Sequence, residues 1–262
     1  MIKGVQAWTV REFLGDAQQL RETYKKIAEI GYKSVQAGAP QFMSTQEFQD
    51  LLQENGLVNT SSYSDFGRLK TDKDEMKRAV ANARIYNTRY IGLGTIPDEY
   101  RNTLDGFKRF AKEMNEIAAE LKKEDCGLLY HHHALEFLSF GGGLNGMDVL
   151  TDETDPDGVF WTLDTHWLAS GGVDLVYWIN KLKNRMPIIH FKDYGIKSGT
   201  VLIEGVNKTF AEVGEGNINW PPVVEACRNA GIGHAIVEQD LCPGDPFESL
   251  RISYENMVKF NV

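Results

Sequence analysis

The sequence predicts an α/β protein that forms a single (β/α)8 barrel over residues 1–262. Strand-like and helix-like segments alternate along the whole chain, which is typical of a parallel sheet, and the count of eight strands favours closure into a barrel. The chain of 262 residues has the usual length of such a barrel, about 250 residues. A doubly wound open sheet is the alternative, but no G-x-G-x-x-G motif lies between the first strand and the first helix.

The strands are predicted from apolar runs and from alternation of apolar and polar residues. The first strand alternates, whereas the runs VFWTL before Asp164 and AIV before Glu238 are apolar throughout, as expected for strands buried on both faces. The predicted strands cover residues 2–9, 34–38, 57–63, 90–94, the start of 127–137, 159–164, 187–191 and 234–237.

The helices are predicted from apolar residues three or four positions apart and from signals at their ends. Asp16 is the expected N-cap of the first helix, and Gly31 is expected to end it. Segment 141–158, rich in glycine and aspartate, is interpreted as a flexible loop near the substrate with at most a short helix, and 195–216 as a polar excursion. The predicted helices cover residues 16–31, 45–55, 71–86, 104–124, 175–182, 220–230 and 246–260.

Composition excludes several classes of protein. The net charge of −9 argues against a nucleic-acid partner, because nucleic-acid binders usually present a basic face. The three cysteines have no paired spacing, which indicates reduced thiols and predicts a cytoplasmic protein. The N-terminus lacks a secretion-signal pattern and no apolar run approaches 18 residues, so neither export nor a membrane partner is expected.

Polar residues that could carry chemistry collect where the predicted strands end. In a barrel of this type the active site lies at the C-terminal ends of the strands. Five of the six histidines fall at these positions, whereas chance would scatter them. The residues at these ends are Arg11, Gln36, His131, His132, His133, Glu136, Asp164, His166, His190, Lys192, Asp193, Glu238 and Asp240.

A divalent metal would explain three of these residues together. Asp164, His190 and Glu238 each follow an apolar strand, so each faces the barrel mouth or carries an unpaired burial cost of several kcal/mol. Carboxylates combined with imidazole suit divalent ions. Each residue alone also has a structural explanation, such as a helix cap or a salt bridge, and Lys192 could pair with Asp193. His132 is expected to face away from its two neighbours, because adjacent strand residues point to opposite sides.

At these residues the chain resembles the sugar phosphate isomerase/epimerase family, whose fold is the xylose-isomerase-like TIM barrel. The resemblance covers almost the whole length, and its last four motifs are specific in order and spacing. The motifs are QAWTVRE, IAEIGYKSVQ, YHHHALEF, LDTHW, HFKDY, EVGEGNINW and IVEQDLCPGDPFESLRISYENM.

The resemblance implies one divalent metal ion (Mn, Mg, Co or Zn) held by side chains from strands five to eight. The implied ligands are Glu136, Asp164, His190 and Glu238, with His131 or His133 as alternatives at the first position. Gln36 and His166 stand where similar members often have Glu and an aromatic residue. The residues expected to bind substrate are Arg11, Gln36, His131, His166 and Trp167.

The activity implied by the resemblance is isomerisation or epimerisation of a keto-sugar or keto-polyol. Glu136 and Glu238 would move a proton through an enediolate from opposite faces, while His133 and Lys192 would hold or protonate substrate oxygens. If a β-hydroxyl leaves instead, the enzyme is a lyase or dehydratase acting on a keto-sugar, an inositol derivative or a keto-glycoside. An endonuclease IV-like nuclease and a non-catalytic sugar-binding barrel are the competing classes. Substrate identity, its phosphorylation, the metal and homo-oligomerisation are left open.

Overall fold

The computed structural model describes residues 1–196 and 208–262, so the middle of the predicted polar excursion lies outside the described residues. All eight predicted strands are present: 159–164 and 234–237 have the predicted bounds, and the others are shorter or divided. The strands are β1 Ile2–Gln6, β2 Ser34–Gln36, β3 Val58–Asn59, β4 Ser62–Tyr63, β5 Tyr90–Leu93, β6 Gly127–His131, β7 Ser139–Gly141, β8 Leu144–Asn145, β9 Val159–Asp164, β10 Ile188–Phe191, β11 Asp193–Ile196, β12 Lys208–Ala211 and β13 His234–Val237.

The helices follow the strands in the predicted alternation. Asp16 caps the first helix by accepting from the backbone N–H groups of Gln18 and Gln19, as its position predicted. Three 3₁₀ segments, Ala7–Phe13, Asp98–Tyr100 and Ala134–Phe137, supplement the α-helices. The helices are α1 Ala17–Ile30, α2 Thr45–Glu54, α3 Phe66–Thr71, α4 Lys73–Ile85, α5 Leu104–Lys122, α6 Gly146–Glu153, α7 Thr165–Ser170, α8 Leu175–Lys181, α9 Trp220–Asn229 and α10 Pro246–Lys259.

The sheet is a nearly closed parallel barrel, which confirms the predicted fold. Its strand order is β3-β2-β1-β13-β10-β9-β6-β5-β4. The predicted strand 57–63 is divided into β3, which pairs with β2, and β4, which pairs with β5. The segment divides because its two ends bond to different strands. The N–H of Thr60 donates to the carbonyl of Val35 on β2 at 2.9 Å, and the N–H of Ser64 donates to the carbonyl of Gly92 on β5 at 3.2 Å. One bent segment therefore supplies both edges of the sheet.

Local hydrogen bonding explains where the predicted elements were wrong. The expected strand 2–9 stops at Gln6, whose side chain accepts from the N–H of Trp8 and starts a 3₁₀ segment. Segment 141–158 contains the short helix that the prediction allowed, the two-turn α6, which begins with a capping box of Asn145 and Asp148; the short strand β8 before it was not expected. The short helices α3 and α7 were not predicted because each has fewer than two turns of periodic sequence.

The apolar core has two parts, one between sheet and helices and one inside the barrel. The inner part contains Leu129, Ile188 and Ile236, which lie on β6, β10 and β13. Because side chains alternate along a strand, residues two positions further on face the same interior. The inner core therefore forms the floor beneath His131, His190 and Glu238.

In the part of the chain that the structure describes, no helix combines the length and apolarity needed to cross a membrane.

Gly4 is predicted to be required for close packing of β1 inside the barrel. A Cβ atom there would lie 2.7 Å from the carbonyl oxygen of Ser34 and would overlap the Ile236 side chain. Overpacking of this kind costs about 1–3 kcal/mol, so Gly4→Ala should lower the free energy of unfolding by that amount in urea melts. Gly38→Ala is the control, because a Cβ there would have no atom within 4 Å. Equal stability of the two variants would contradict this packing.

Candidate metal centre and cavity

Four polar side chains converge at the C-terminal ends of four neighbouring strands. His131, Asp164, His190 and Glu238 each offer one atom, and these atoms lie within 4.8 Å of one another. They come from β6, β9 and β10 and from the residue after β13, strands that are adjacent in the sheet. Asp164 and His190 stand opposite each other in the β9–β10 register. The parallel register thus assembles residues that are far apart in the chain.

Hydrogen bonds fix the orientation of the His190 ring. Its Nε2 lies 2.5 Å from Oε1 of Gln36, which also accepts from Nε2 of Gln6 at 3.1 Å. Because this amide oxygen can only accept, Nε2 of His190 carries the proton. The lone pair of the neutral ring is therefore on Nδ1, the atom that faces Asp164 and Glu238.

The His131 ring is oriented in the same manner. Its Nδ1 lies 3.3 Å from the carbonyl oxygen of Thr162, on the neighbouring strand β9. A carbonyl only accepts, so Nδ1 carries the proton and Nε2 keeps its lone pair. Histidines that ligate metals commonly donate their other N–H to a carbonyl or carboxylate in this way.

The donor atoms of this group fit a divalent cation. Asp164 Oδ2, His190 Nδ1 and Glu238 Oε2 are buried and have no hydrogen-bond partner among the described residues. His190 Nδ1 and Glu238 Oε2 lie only 2.7 Å apart without hydrogen-bond alignment, as atoms do when they point at a common centre. Buried polar atoms without partners are costly, and a shared cation removes that cost for all of them.

The electrostatics of the group are dominated by the two carboxylates. Burial opposes ionisation of Asp164, but Lys192 and His190 outweigh it and hold the pKa of Asp164 below its usual value. Burial likewise opposes protonation of His190, yet Glu238 and Asp164 raise its pKa to about 9. A proton on His190 therefore offsets one of the two carboxylate charges when no metal is bound.

Two further hydrogen bonds, one to Oδ1 and one from the backbone N–H, hold the Asp164 carboxylate in position. Asp164 Oδ1 accepts from the N–H of Trp167 at 3.0 Å and caps α7. The backbone N–H of Asp164 donates to Nε2 of His132 at 3.0 Å. His132 is fully buried and faces away from the cavity, as the alternation of strand residues predicted. Its role here is to support Asp164.

Glu136, the expected first ligand, is outside this group, and the sequence interpretation needs correction here. The 3₁₀ segment Ala134–Phe137 turns the side chain back toward Tyr130, whose hydroxyl donates to Oε1. Oε2 accepts from the N–H of His133 at 2.8 Å. Tyr130 alternates with His131 and faces the outer core, so Glu136 lies on the helix side of the sheet. Burial raises the pKa of Glu136 to about 7.

Lys192 pairs with Asp240, not with Asp193. Its Nζ lies 2.8 Å from Asp240 Oδ2 and 3.8 Å from Glu238 Oε1. Burial lowers the pKa of Lys192, but Asp164, Glu238 and Asp240 raise it above its usual value, so the ammonium is charged. Asp193 instead accepts hydrogen bonds from four backbone N–H groups and the indole N–H of Trp220. Asp193 therefore anchors the segment that leads into α9.

A cavity of about 680 Å³ opens beside the four-residue group. This volume lies in the range of small-molecule sites, about 300–1,000 Å³. Sequence reasoning did not identify several residues of its wall, because they lie in loops and split strands without a charged signal. The lining residues are Gln6, Trp8, Tyr63, Gly94, Thr95, His131, His133, Trp167, His190, Lys192, Glu238 and Asp240.

The residues expected to bind substrate divide into two groups. His131 and Trp167 line the cavity, and so do the expected catalytic residues His133 and Lys192. Arg11, Gln36 and His166 are not among the lining residues. Arg11 and Gln36 make other contacts. The Arg11 guanidinium stacks on Trp8 and donates to the Trp8 carbonyl, and the Gln36 side chain accepts from the His190 ring.

His166 packs among aromatic rings behind the cavity wall. Its ring centroid lies 4.6 Å from that of Trp167, 5.2 Å from Tyr194 and 5.0 Å from Phe210. The Phe210 side chain, on β12, also lies near the Lys192 ammonium, at 5.3 Å. The hairpin of β11 and β12 thus supports the wall from outside, a role that no motif signalled.

Comparison with known proteins identifies the family of the fold. A family model described as "Xylose isomerase-like TIM barrel" matches residues 24–251. An inosose dehydratase of Lacticaseibacillus casei is 30% identical over 165 residues, which cover 58% of this chain and 53% of that protein. Over that match the chain spans about half the length of the relative. An inosose dehydratase of Clostridium perfringens (strain 13 / Type A) is 28% identical over 92% of this chain and 91% of that protein.

Two solved structures share the fold. A sugar phosphate isomerase/epimerase from Parabacteroides distasonis superposes with a TM-score of 0.77 at 19% identity, covering 97% of this chain and 93% of that one. The IOLI protein, solved with a zinc atom, superposes with a TM-score of 0.68 at 13% identity, covering 99% and 98%. The matched family model covers most of the chain, and the chain therefore belongs to the xylose isomerase-like TIM barrel family, as its motifs predicted.

Proposed function

We propose that this protein is a divalent-metal-dependent dehydratase that removes water from an inosose or a closely related keto-polyol. The carrying observation is that His133 and Lys192, a base and an acid, flank Trp167 in the cavity beside the four donor atoms. The His133 ring centroid lies 5.2 Å from that of Trp167, and Lys192 Nζ lies 5.1 Å from the same ring. The inosose dehydratases among the relatives favour this activity over the isomerase or epimerase that the motifs suggested first.

His131, Asp164, His190 and Glu238 would hold the ion. When bound there, a divalent ion supplies Lewis-acid polarisation of a substrate carbonyl, which makes the neighbouring C–H bond more acidic. The two imidazoles are already oriented with a lone pair toward the centre, by Gln36 and by the Thr162 carbonyl. The ligands therefore need little rearrangement.

His133 is placed to act as the general base. Burial lowers its pKa, which keeps the imidazole neutral, and the residue lines the cavity. In the proposed step the bond between hydrogen and the carbon next to the carbonyl breaks, and the proton moves to His133.

Lys192 is placed to act as the general acid. The bond between the β-carbon and its hydroxyl oxygen breaks, Lys192 donates a proton to that oxygen, and water leaves. A carbon–carbon double bond conjugated with the carbonyl remains. The excess proton on His133 then replaces the proton lost from Lys192, directly or through water. Asp240 keeps the ammonium oriented, since its Oδ2 lies 2.8 Å from Nζ.

Epimerisation by two carboxylates has less support. It needs one carboxylate on each face of the substrate, and the expected pair was Glu136 and Glu238. Glu136 is fully buried and bonded to Tyr130 and to the His133 backbone, so it is not available to a substrate in the cavity.

Glu238→Gln should weaken metal binding by about 100-fold or more and abolish turnover, because it replaces an anionic ligand by a neutral amide and the loss of a residue that only orients a ligand already costs about 10–100-fold. Metal content of the purified protein and turnover of an inosose are the measurements, and chelation of the unmodified enzyme should inactivate it reversibly. Glu116→Gln, on the surface of α5, is the control. An active, metal-free protein that is insensitive to chelation would contradict the proposal.

Lys192→Met should lower kcat by about 10²–10⁴-fold, because the variant keeps an unbranched side chain of nearly the same length but cannot donate a proton. KM and metal content should change much less, which separates this role from a purely structural one. Lys183→Met removes an exposed lysine and serves as the control. A proportionate loss of bound metal would reassign Lys192 to support of the ligands.

The products formed in D₂O should distinguish the two activities. A dehydratase converts an inosose into an unsaturated ketone that is lighter by one water, detectable by mass spectrometry and by ultraviolet absorbance. An isomerase or epimerase would instead introduce deuterium next to the carbonyl without loss of water. The second outcome, with inososes and other keto-polyols, would overturn the dehydratase assignment and leave the metal site intact.

A further inference from the structure

We infer that this site selects a borderline transition ion of the Zn²⁺ and Co²⁺ type over Mn²⁺ and Mg²⁺, and that His131 sets this selectivity. The inference rests on the metal site of the proposed function and goes beyond it by assigning the class of ion. It depends on one juxtaposition, in which two imidazoles and two carboxylates offer atoms within 4.8 Å of one another.

The chemistry of the donors gives the direction of selectivity. Carboxylate and water oxygens suit Mg²⁺ and Mn²⁺, whereas imidazole nitrogen suits Zn²⁺, Co²⁺ and other later transition ions. The motifs implied three carboxylates and one imidazole, but the structure has His131 in the group and Glu136 outside it. Exchanging one oxygen donor for nitrogen favours the later ions.

The His131 imidazole is held in a state that can only donate to a cation. Its Nδ1 proton is directed at the Thr162 carbonyl, so the free lone pair is on Nε2. The ring also packs against two other imidazoles, with centroids 4.7 Å from His133 and 4.6 Å from His190. These contacts restrict the ring plane, and a partner that fixes the tautomer and orientation of a histidine makes it a better metal ligand.

The charge balance supports one divalent ion. Asp164 and Glu238 together carry two negative charges, and Lys192 is compensated by Asp240. One divalent ion makes the buried group neutral, whereas a third carboxylate would leave an uncompensated buried charge. Gln36, which lies against His190, is also neutral. The described residues thus offer too little negative charge for a cluster of several ions.

The test compares affinities for Co²⁺ and Mn²⁺ in the metal-free protein and in His131→Glu. Bound Co²⁺ is measured by its visible absorption and free Mn²⁺ by electron paramagnetic resonance, with Mg²⁺ as a competitor. Most protein sites prefer Co²⁺ to Mn²⁺, so the decisive quantity is the change in the ratio of the two Kd values. We expect His131→Glu to reduce the preference for Co²⁺ by about tenfold or more, and the Co²⁺ spectrum to change with the loss of a nitrogen donor.

His131→Gln is the matched control, because it removes the imidazole without adding a carboxylate. It should weaken Co²⁺ binding without strengthening Mn²⁺ binding, and circular dichroism melts should verify that both variants fold. An unchanged ratio in His131→Glu, or Mg²⁺ displacing Co²⁺ from the unmodified protein at similar concentrations, would overturn the inference. Failure of the unmodified protein to bind any of these ions would instead overturn the proposed metal site.

Discussion

The parallel register of four neighbouring strands is the constraint on which the candidate site depends. Leu129, Ile188 and Ile236 form the floor inside the barrel, and the residues two positions later are His131, His190 and Glu238. A shift of one residue in any of these strands would turn the donor into the helix layer. The same alternation sends Tyr130 outward, and Glu136 follows it there.

Two sequence neighbours, Lys192 and Asp193, carry opposite charges and belong to separate networks, one at the cavity and one behind it. Lys192 continues the inward alternation after His190 and meets Asp240 at the cavity. Asp193 binds five N–H groups and fixes the return from the β11–β12 hairpin to α9. If Lys192 and Asp193 paired with each other, as adjacent opposite charges suggest, Asp240 would lose its ammonium partner. The N–H groups around Asp193 would lose their carboxylate acceptor.

The sequence predicted the barrel and three of the four converging residues, because apolar strands followed by a polar residue are a local signal. The fourth residue, the implied metal ligand from the strand that ends at His131, could not be decided from this signal. Whether His131 or Glu136 faces the interior depends on the turn Ala134–Phe137 and on the hydroxyl of Tyr130, which are tertiary features. The cavity wall was predicted less well, since Trp8 and Tyr63 lie in a 3₁₀ segment and a split strand. The His166 side chain was expected to contact substrate, yet its aromatic neighbours hold it behind the wall.

All four donor residues lie at the ends of β6, β9, β10 and β13, which form the second half of the barrel. The cavity-wall residues Gln6, Trp8, Tyr63 and Thr95 belong to or follow β1, β4 and β5, in the first half of the barrel. The bond from Gln36 to His190 is a direct link from the first half to a donor. Exchange of the first half-barrel with that of a relative, keeping Gln36, would therefore alter the shape of the cavity while leaving the four candidate metal ligands in place. Recombination at the middle of the barrel is a route by which such a protein could acquire a new substrate while keeping the residues of the candidate metal site.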